Sequence, residues 1–173
     1  MKMAIEWFDP STFEGANDKW LAKFKAGDYK GDNRDDIELW LKAMAEFGLK
    51  AMDDDDLEYN EVIEDSLLQY ESVAIFTEVR DSDLKFVQYF TEDEQKIGKY
   101  AGSWKDALSE LDVKNHVQME MIPDALKQVM GGDANTDSFF FAGTLTVDGP
   151  IKIAVLPREW ISTYYEENGI EID

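Results

Sequence analysis

Between His116 and Gly169 the chain reads as a strand, a short helix, an aromatic knot, a second strand and an amphipathic segment carrying Trp160, Tyr164 and Tyr165. That stretch constrains the fold because each of its elements has one apolar face to bury against a neighbour. Val117, Met119 and Met121 alternate with His116, Gln118 and Glu120, the period of a half-buried strand. Pro123 opens a helix over 123–130, since its fixed φ suits the first helical position and its missing N–H costs nothing there. Gly131 and Gly132 end it. Phe139, Phe140 and Phe141 lead into Gly143, and Gly143 to Val147 reads as the next strand, stopped by Asp148, Gly149 and Pro150. Beyond Pro150 the periodicity is ambiguous. Ile151, Ile153 and Val155 alternate as in a strand, whereas Ile151, Ala154, Val155, Ile161 and Tyr165 line a helix interrupted by Pro157. The stretch carries far more large apolar side chains than groups capable of chemistry, which suits holding an apolar molecule better than transforming one.

Upstream, residues 1–32 read as irregular, punctuated by Pro10, Gly15, Gly27 and Gly31, with one aromatic cluster of Trp20, Leu21 and Phe24. Asp32 or Asn33 caps a helix whose stripe is Ile37, Trp40, Leu41, Met44 and Phe47, with Gly48 as its weak point or end. The run Asp53 to Asp56 precedes a second helix, where carboxylates favour the positive end of the dipole. Its stripe is Tyr59, Val62, Ile63, Ser66, Leu67 and Tyr70. From Ser72 the period changes to two. Val73 to Arg80, a turn at Asp81, Ser82 and Asp83, and Leu84 to Phe90 read as an antiparallel hairpin. Lys96 to Ala101 reads as a third strand and Ser103 to Leu108 as a short helical turn.

The formal net charge is −21, spread evenly: residues 1–70 carry 8 basic and 18 acidic side chains, and residues 71–173 carry 9 and 20. Such a field repels phosphate backbones and anionic bilayers, which excludes nucleic acid and strong binding to anionic membrane. High charge serves solubility, and a basic protein partner is the functional counterpart. Cysteine is absent, so no disulfide framework, thiolate nucleophile or thiolate-held metal is available. The first ten residues lack a basic segment followed by an apolar run, and no apolar run reaches the roughly 18 residues of a membrane span, so a cytoplasmic location is expected.

Val117 to Val155 resembles the sterol carrier protein type 2 family. The resemblance rests on a methionine-bearing strand, the Pro123–Gly132 helix, the Phe139–Gly143 transition, the strand Thr144–Val147 and the apolar segment Gly149–Leu156. With the Val73–Phe90 hairpin and the helix before it, it extends over roughly residues 55–170, leaving the first 55 unaccounted for. It implies a twisted sheet covered by helices, with an apolar tunnel lined by the C-terminal helix. The chain ends in Gly169-Ile170-Glu171-Ile172-Asp173, without the Ser-Lys-Leu type peroxisomal address carried by some members.

No catalytic signature accompanies these elements. His116 is the one histidine and falls on the polar face of its strand. No Gly-x-Ser-x-Gly elbow exists, and Gly98 to Ser103 holds phosphate-loop residue types in the wrong order. Asp133, Asn135 and Asp137 have the alternation of a calcium loop, but Ser138 and Thr144 stand where its glycine and closing glutamate belong, which favours a cap or turn.

The expectation is therefore an α+β fold with a twisted, mainly antiparallel sheet of about five strands covered by helices. An acidic, helix-bearing extension spans 1–55 and a lipid-binding domain spans 56–173, the two forming one compact unit. The expected ligand-lining residues are Phe76, Phe86, Met119, Met121, Leu126, Met130, Phe139, Phe140, Val155, Trp160, Ile161 and Tyr164. Arg158 either meets a head group or pairs with surface acids. No catalytic residue, metal or cofactor is expected, and the partner is a lipid or other hydrophobic small molecule. The alternative is an accessory module for a partner enzyme, filled by its own side chains.

Overall fold

A computed structural model describes residues 3–51, 58–132 and 136–171. The elements run β1 (Ile5–Trp7), α1 (Ala16–Ala26), α2 (Arg34–Ala51), α3 (Tyr59–Tyr70), β2 (Val73–Val79), β3 (Lys85–Phe90), β4 (Gln95–Tyr100) and α4 (Trp104–Leu108). They continue with β5 (Asn115–Met121), α5 (Pro123–Met130), α6 (Thr136–Phe141), β6 (Leu145–Asp148), α7 (Ile151–Ala154) and α8 (Leu156–Glu167). A single-turn 3-10 helix, Pro10–Phe13, follows β1.

Among the described residues the sheet has six strands in the order β1-β4-β3-β2-β5-β6, one more than expected. Four of its pairings are antiparallel, and the central β2–β5 pairing is parallel, with Val73 opposite Asn115 and Val79 opposite Met121. Chain direction explains the exception. Strands β2, β3 and β4 alternate as a meander, so β4 runs the same way as β2. The chain then crosses the sheet through α4 and lays β5 beside β2 in that direction, as a crossover connection requires.

The crossover gives the sheet two covered faces. The inner face carries Val73, Ile75, Phe86, Phe90, Ile97, Val117, Met119, Met121 and Leu145, in one core with side chains of α1, α2, α3, α5 and α8. The outer face carries Ala74, Phe76, Val87 and Tyr100 beneath Trp104, Ala107 and Leu108 of α4. Alternation along β2 therefore separates Ile75 from Phe76 by the thickness of the sheet.

The stripe expected on α2 is present, with Ile37, Trp40, Leu41, Met44 and Phe47 all buried. Asn33 Oδ1 accepts the Asp36 N–H at 3.1 Å and so caps the helix. The helix continues through Gly48 to Ala51. A Cβ at Gly48 would stand 3.3 Å from Tyr59 Cε1, so glycine there admits the start of α3 rather than ending α2.

Residues 1–32 are more ordered than their sequence suggests. Helix α1 has too few apolar positions to announce itself, and its order comes from elsewhere. Glu46 of α2 accepts the N–H groups of Gly15 at 2.6 Å and Asn17 at 2.9 Å, capping α1 from outside. Strand β1 docks on β4 because Gly98 faces Trp7, and a Cβ at Gly98 would stand 2.6 Å from Glu6 O. The boundary expected near residue 55 and the Asp53–Asp56 run lie outside the described residues, as do Asp133, Asn135 and the last two residues. Buried side chains before that boundary, from Phe13 to Phe47, belong to the same core as those after it.

Candidate functional site

The space between the inner face and α8 holds the group of residues that most resembles a binding site. The ambiguous segment after Pro150 is helical, as α7 and then α8, with Pro157 near the start of α8, where its missing N–H is tolerated. Trp160, Ile161, Tyr164 and Tyr165 are the buried face of α8. That helix is tied to the fold at its other end, where Glu167 accepts the N–H groups of Glu58 and, at 3.1 Å, Tyr59. Trp160 meets Phe90 edge to face at 4.8 Å and donates from Nε1 to Ser66 Oγ at 3.3 Å.

A hollow of about 30 Å³ lies here, lined by side chains of α2, β2, β3, β5, α5 and α8. Five expected residues line it: Met119, Met121, Leu126, Trp160 and Ile161. Phe86, Met130 and Tyr164 are buried in the same core without lining the hollow, and Phe139 is half-buried against that core. Three others lie elsewhere. Phe76 is on the outer face, 5.5 Å from the Tyr100 ring and 5.7 Å from Trp104, because strand alternation turns it away from α8. Phe140 is 46 % exposed, since α6 spends its one buried aromatic position on Phe139. Val155 is 38 % exposed at the joint between α7 and α8.

Sequence reasoning left out Trp40, Met44, Thr77, Gln88, Val129 and Pro157, which complete the lining. The signal for Trp40 and Met44 was present in the α2 stripe, which had been assigned to an extension. Gln88 carried no signal, because a buried amide in a strand is unusual. A second hollow of about 90 Å³ opens between α2 and strands β3 and β4, lined by Phe13, Leu41, Tyr59, Phe90 and Ile97 among others. It shares Met44 and Gln88 with the first, and neither hollow is lined by a charged side chain. Arg158 lines neither.

Polar groups around the core are satisfied mainly by one another. Trp20 Nε1 donates to Tyr165 Oη at 3.0 Å, and Tyr165 donates to Met130 O. Tyr164 donates to Asn17 Oδ1. On the outer face Gln118 Nε2 donates to Glu78 Oε2 at 2.8 Å, Arg80 pairs with Glu120 at 2.7 Å, and His116 lies beside Trp104. Among the described residues no group of three or more histidines and carboxylates is placed to hold a metal ion. No described helix is long and apolar enough to cross a membrane.

Burial pushes the hydroxyls of Tyr59, Tyr164 and Tyr165 far above their ordinary range, and at Tyr164 neighbouring phenols and carboxylates add to it. Because these folded-state values are raised, the stability they contribute is complete below the unfolded value near 10 and is lost as pH rises through it. Each such tyrosine is expected to remove about 1.4 kcal/mol per pH unit above about 10. Urea midpoints measured from about pH 9 to about pH 11 should therefore fall steeply. A flat profile would mean that these phenols ionise without unfolding.

No family model matches the chain, and no curated protein matches it. Among solved structures, it is similar to sterol carrier protein 2 from Yarrowia lipolytica in the apo form. The identity is 16 %, the match covers 70 % of this chain and 89 % of that chain, and the TM-score is 0.44. That likeness is too loose to assign a family or a function.

Proposed function

We propose that this protein binds and carries a hydrophobic small molecule between the inner face of the sheet and helices α2, α5 and α8, without chemical change to it. The observation that carries this reading is the pair of uncharged hollows joined through Met44 and Gln88. Both are smaller than the roughly 300–1,000 Å³ of small-molecule sites. Occupancy therefore requires side chains to move aside, and Met44, Met119 and Met121 supply that freedom through their unbranched, adaptable side chains. Burying about ten ligand methylenes at ~0.8 kcal/mol each yields ~8 kcal/mol before ordering costs, a micromolar affinity suited to reversible carriage.

Native mass spectrometry of the purified protein, with displacement of a fluorescent fatty acid by fatty acids, fatty alcohols and sterols, tests the proposal. Saturable displacement in the micromolar range is expected. No bound lipid and no saturable displacement by any class would overturn it. The small size of the hollows favours one second reading, an accessory module whose core is filled by its own side chains. Repeated recovery of one basic partner protein, with no lipid bound, would establish that reading instead.

A further inference from the structure

The hollow between α2, the sheet and α8 is apolar except at a few atoms, and one of these has a definite chemical requirement. Trp40 is 5 % exposed, and its Nε1–H is buried with no acceptor among the described residues. A buried donor without an acceptor costs free energy that neither hydrocarbon nor a methionine side chain recovers well. Trp40 lines the hollow, as does Gln88, which is 8 % exposed and whose amide can both donate and accept. Thr77 adds a hydroxyl to the same lining. No arginine, lysine or histidine lines either hollow, so a carboxylate or phosphate entering there would lose its hydration without a counter-charge.

Resting on the carrier reading above, we infer that the ligand is an uncharged lipid bearing an acceptor oxygen, a ketone, ester or alcohol, whose oxygen takes the Trp40 indole N–H while its hydrocarbon fills the methionine-lined space. A space of about 30 Å³ also suits one water molecule, which binds where two to four polar groups converge. A ligand oxygen reproduces that water's hydrogen bond, and a hydrocarbon does not.

The test compares three probes of matched chain length by competition against one fluorescent reporter: 2-undecanone, its methylidene isostere 2-methyl-1-undecene, and undecanoate. The wild-type chain is expected to bind the ketone roughly ten-fold more tightly than the isostere, and undecanoate more weakly than the ketone. In Trp40→Phe the ratio of ketone to isostere is expected to fall to about one, with the isostere's own affinity kept. Should that variant not fold, the wild-type protein decides the matter by nuclear magnetic resonance. The Trp40 indole N–H signal must move downfield with the ketone and stay in place with the isostere.

Equal affinities in the wild-type chain, a ratio that survives Trp40→Phe, or tighter binding of undecanoate than of the ketone each overturn this inference and leave the carrier reading intact. No saturable binding of any of the three overturns the carrier reading and this inference with it.

Discussion

Replacing Trp160 with alanine is expected to lower the unfolding free energy by about 3–5 kcal/mol, the range for removing a large buried aromatic. The side chain is almost wholly inaccessible, and three interactions are lost with it. The edge-to-face contact with Phe90 disappears, Ser66 Oγ loses its indole donor, and the lining of the inner hollow loses one wall. Collapse cannot fill the gap easily, because Glu167 fastens α8 to the start of α3. For a chain of this size the melting temperature should drop by roughly 10 °C. Urea denaturation with an unchanged slope would assign the loss to the folded state. The enlarged apolar space should then bind benzene, as dry engineered cavities do. A loss below about 1 kcal/mol would mean that α8 settles into the vacated volume.

The second large effect comes from a single oxygen. Tyr165→Phe keeps the ring, yet should cost about 2–4 kcal/mol, because it leaves two buried groups without partners. Trp20 Nε1, on a fully buried side chain of α1, loses its acceptor, and Met130 O at the end of α5 loses a donor. That oxygen joins three helices that no sheet hydrogen bond connects. A double-mutant cycle with Trp20→Phe is the discriminating measurement. The combined loss should be smaller than the sum of the single losses, since the indole donor stranded by one change is removed by the other. Strict additivity would show that the two side chains act separately.

These two positions also mark where sequence reading works and where it stops. Tyr164, Tyr165 and Trp160 could be assigned to one buried helical face once the segment was known to be helical, but the alternation of Ile151, Ile153 and Val155 left strand equally open. Pro123 and the two glycines after Met130 marked α5 with its observed bounds, because φ restriction and helix termination are local properties. The α2 stripe was equally legible. Helix α1 was not, since its N-terminal hydrogen bonds are satisfied by Glu46, some thirty residues away. Within the candidate site, the residues from β5, α5 and α8 were legible from the apolar face each presents. Trp40, Met44 and Gln88 were not grouped with them, because nothing local tells a helix in the first third of the chain which strand it will cover.

Alternation and helical spacing, as properties of neighbouring residues, determined by themselves the central and C-terminal elements, the acidic surface and the supply of apolar side chains. Only the tertiary structure decided the rest: the sixth strand, the parallel seating of β5 beside β2, and the face on which each aromatic lies. The crossover through α4 covers the outer face of the sheet and makes it apolar too. The period-two pattern of β2 alone therefore could not say that Ile75 turns toward α8 while Phe76 turns away. That choice belongs to chain direction and long-range packing, which a local pattern does not encode.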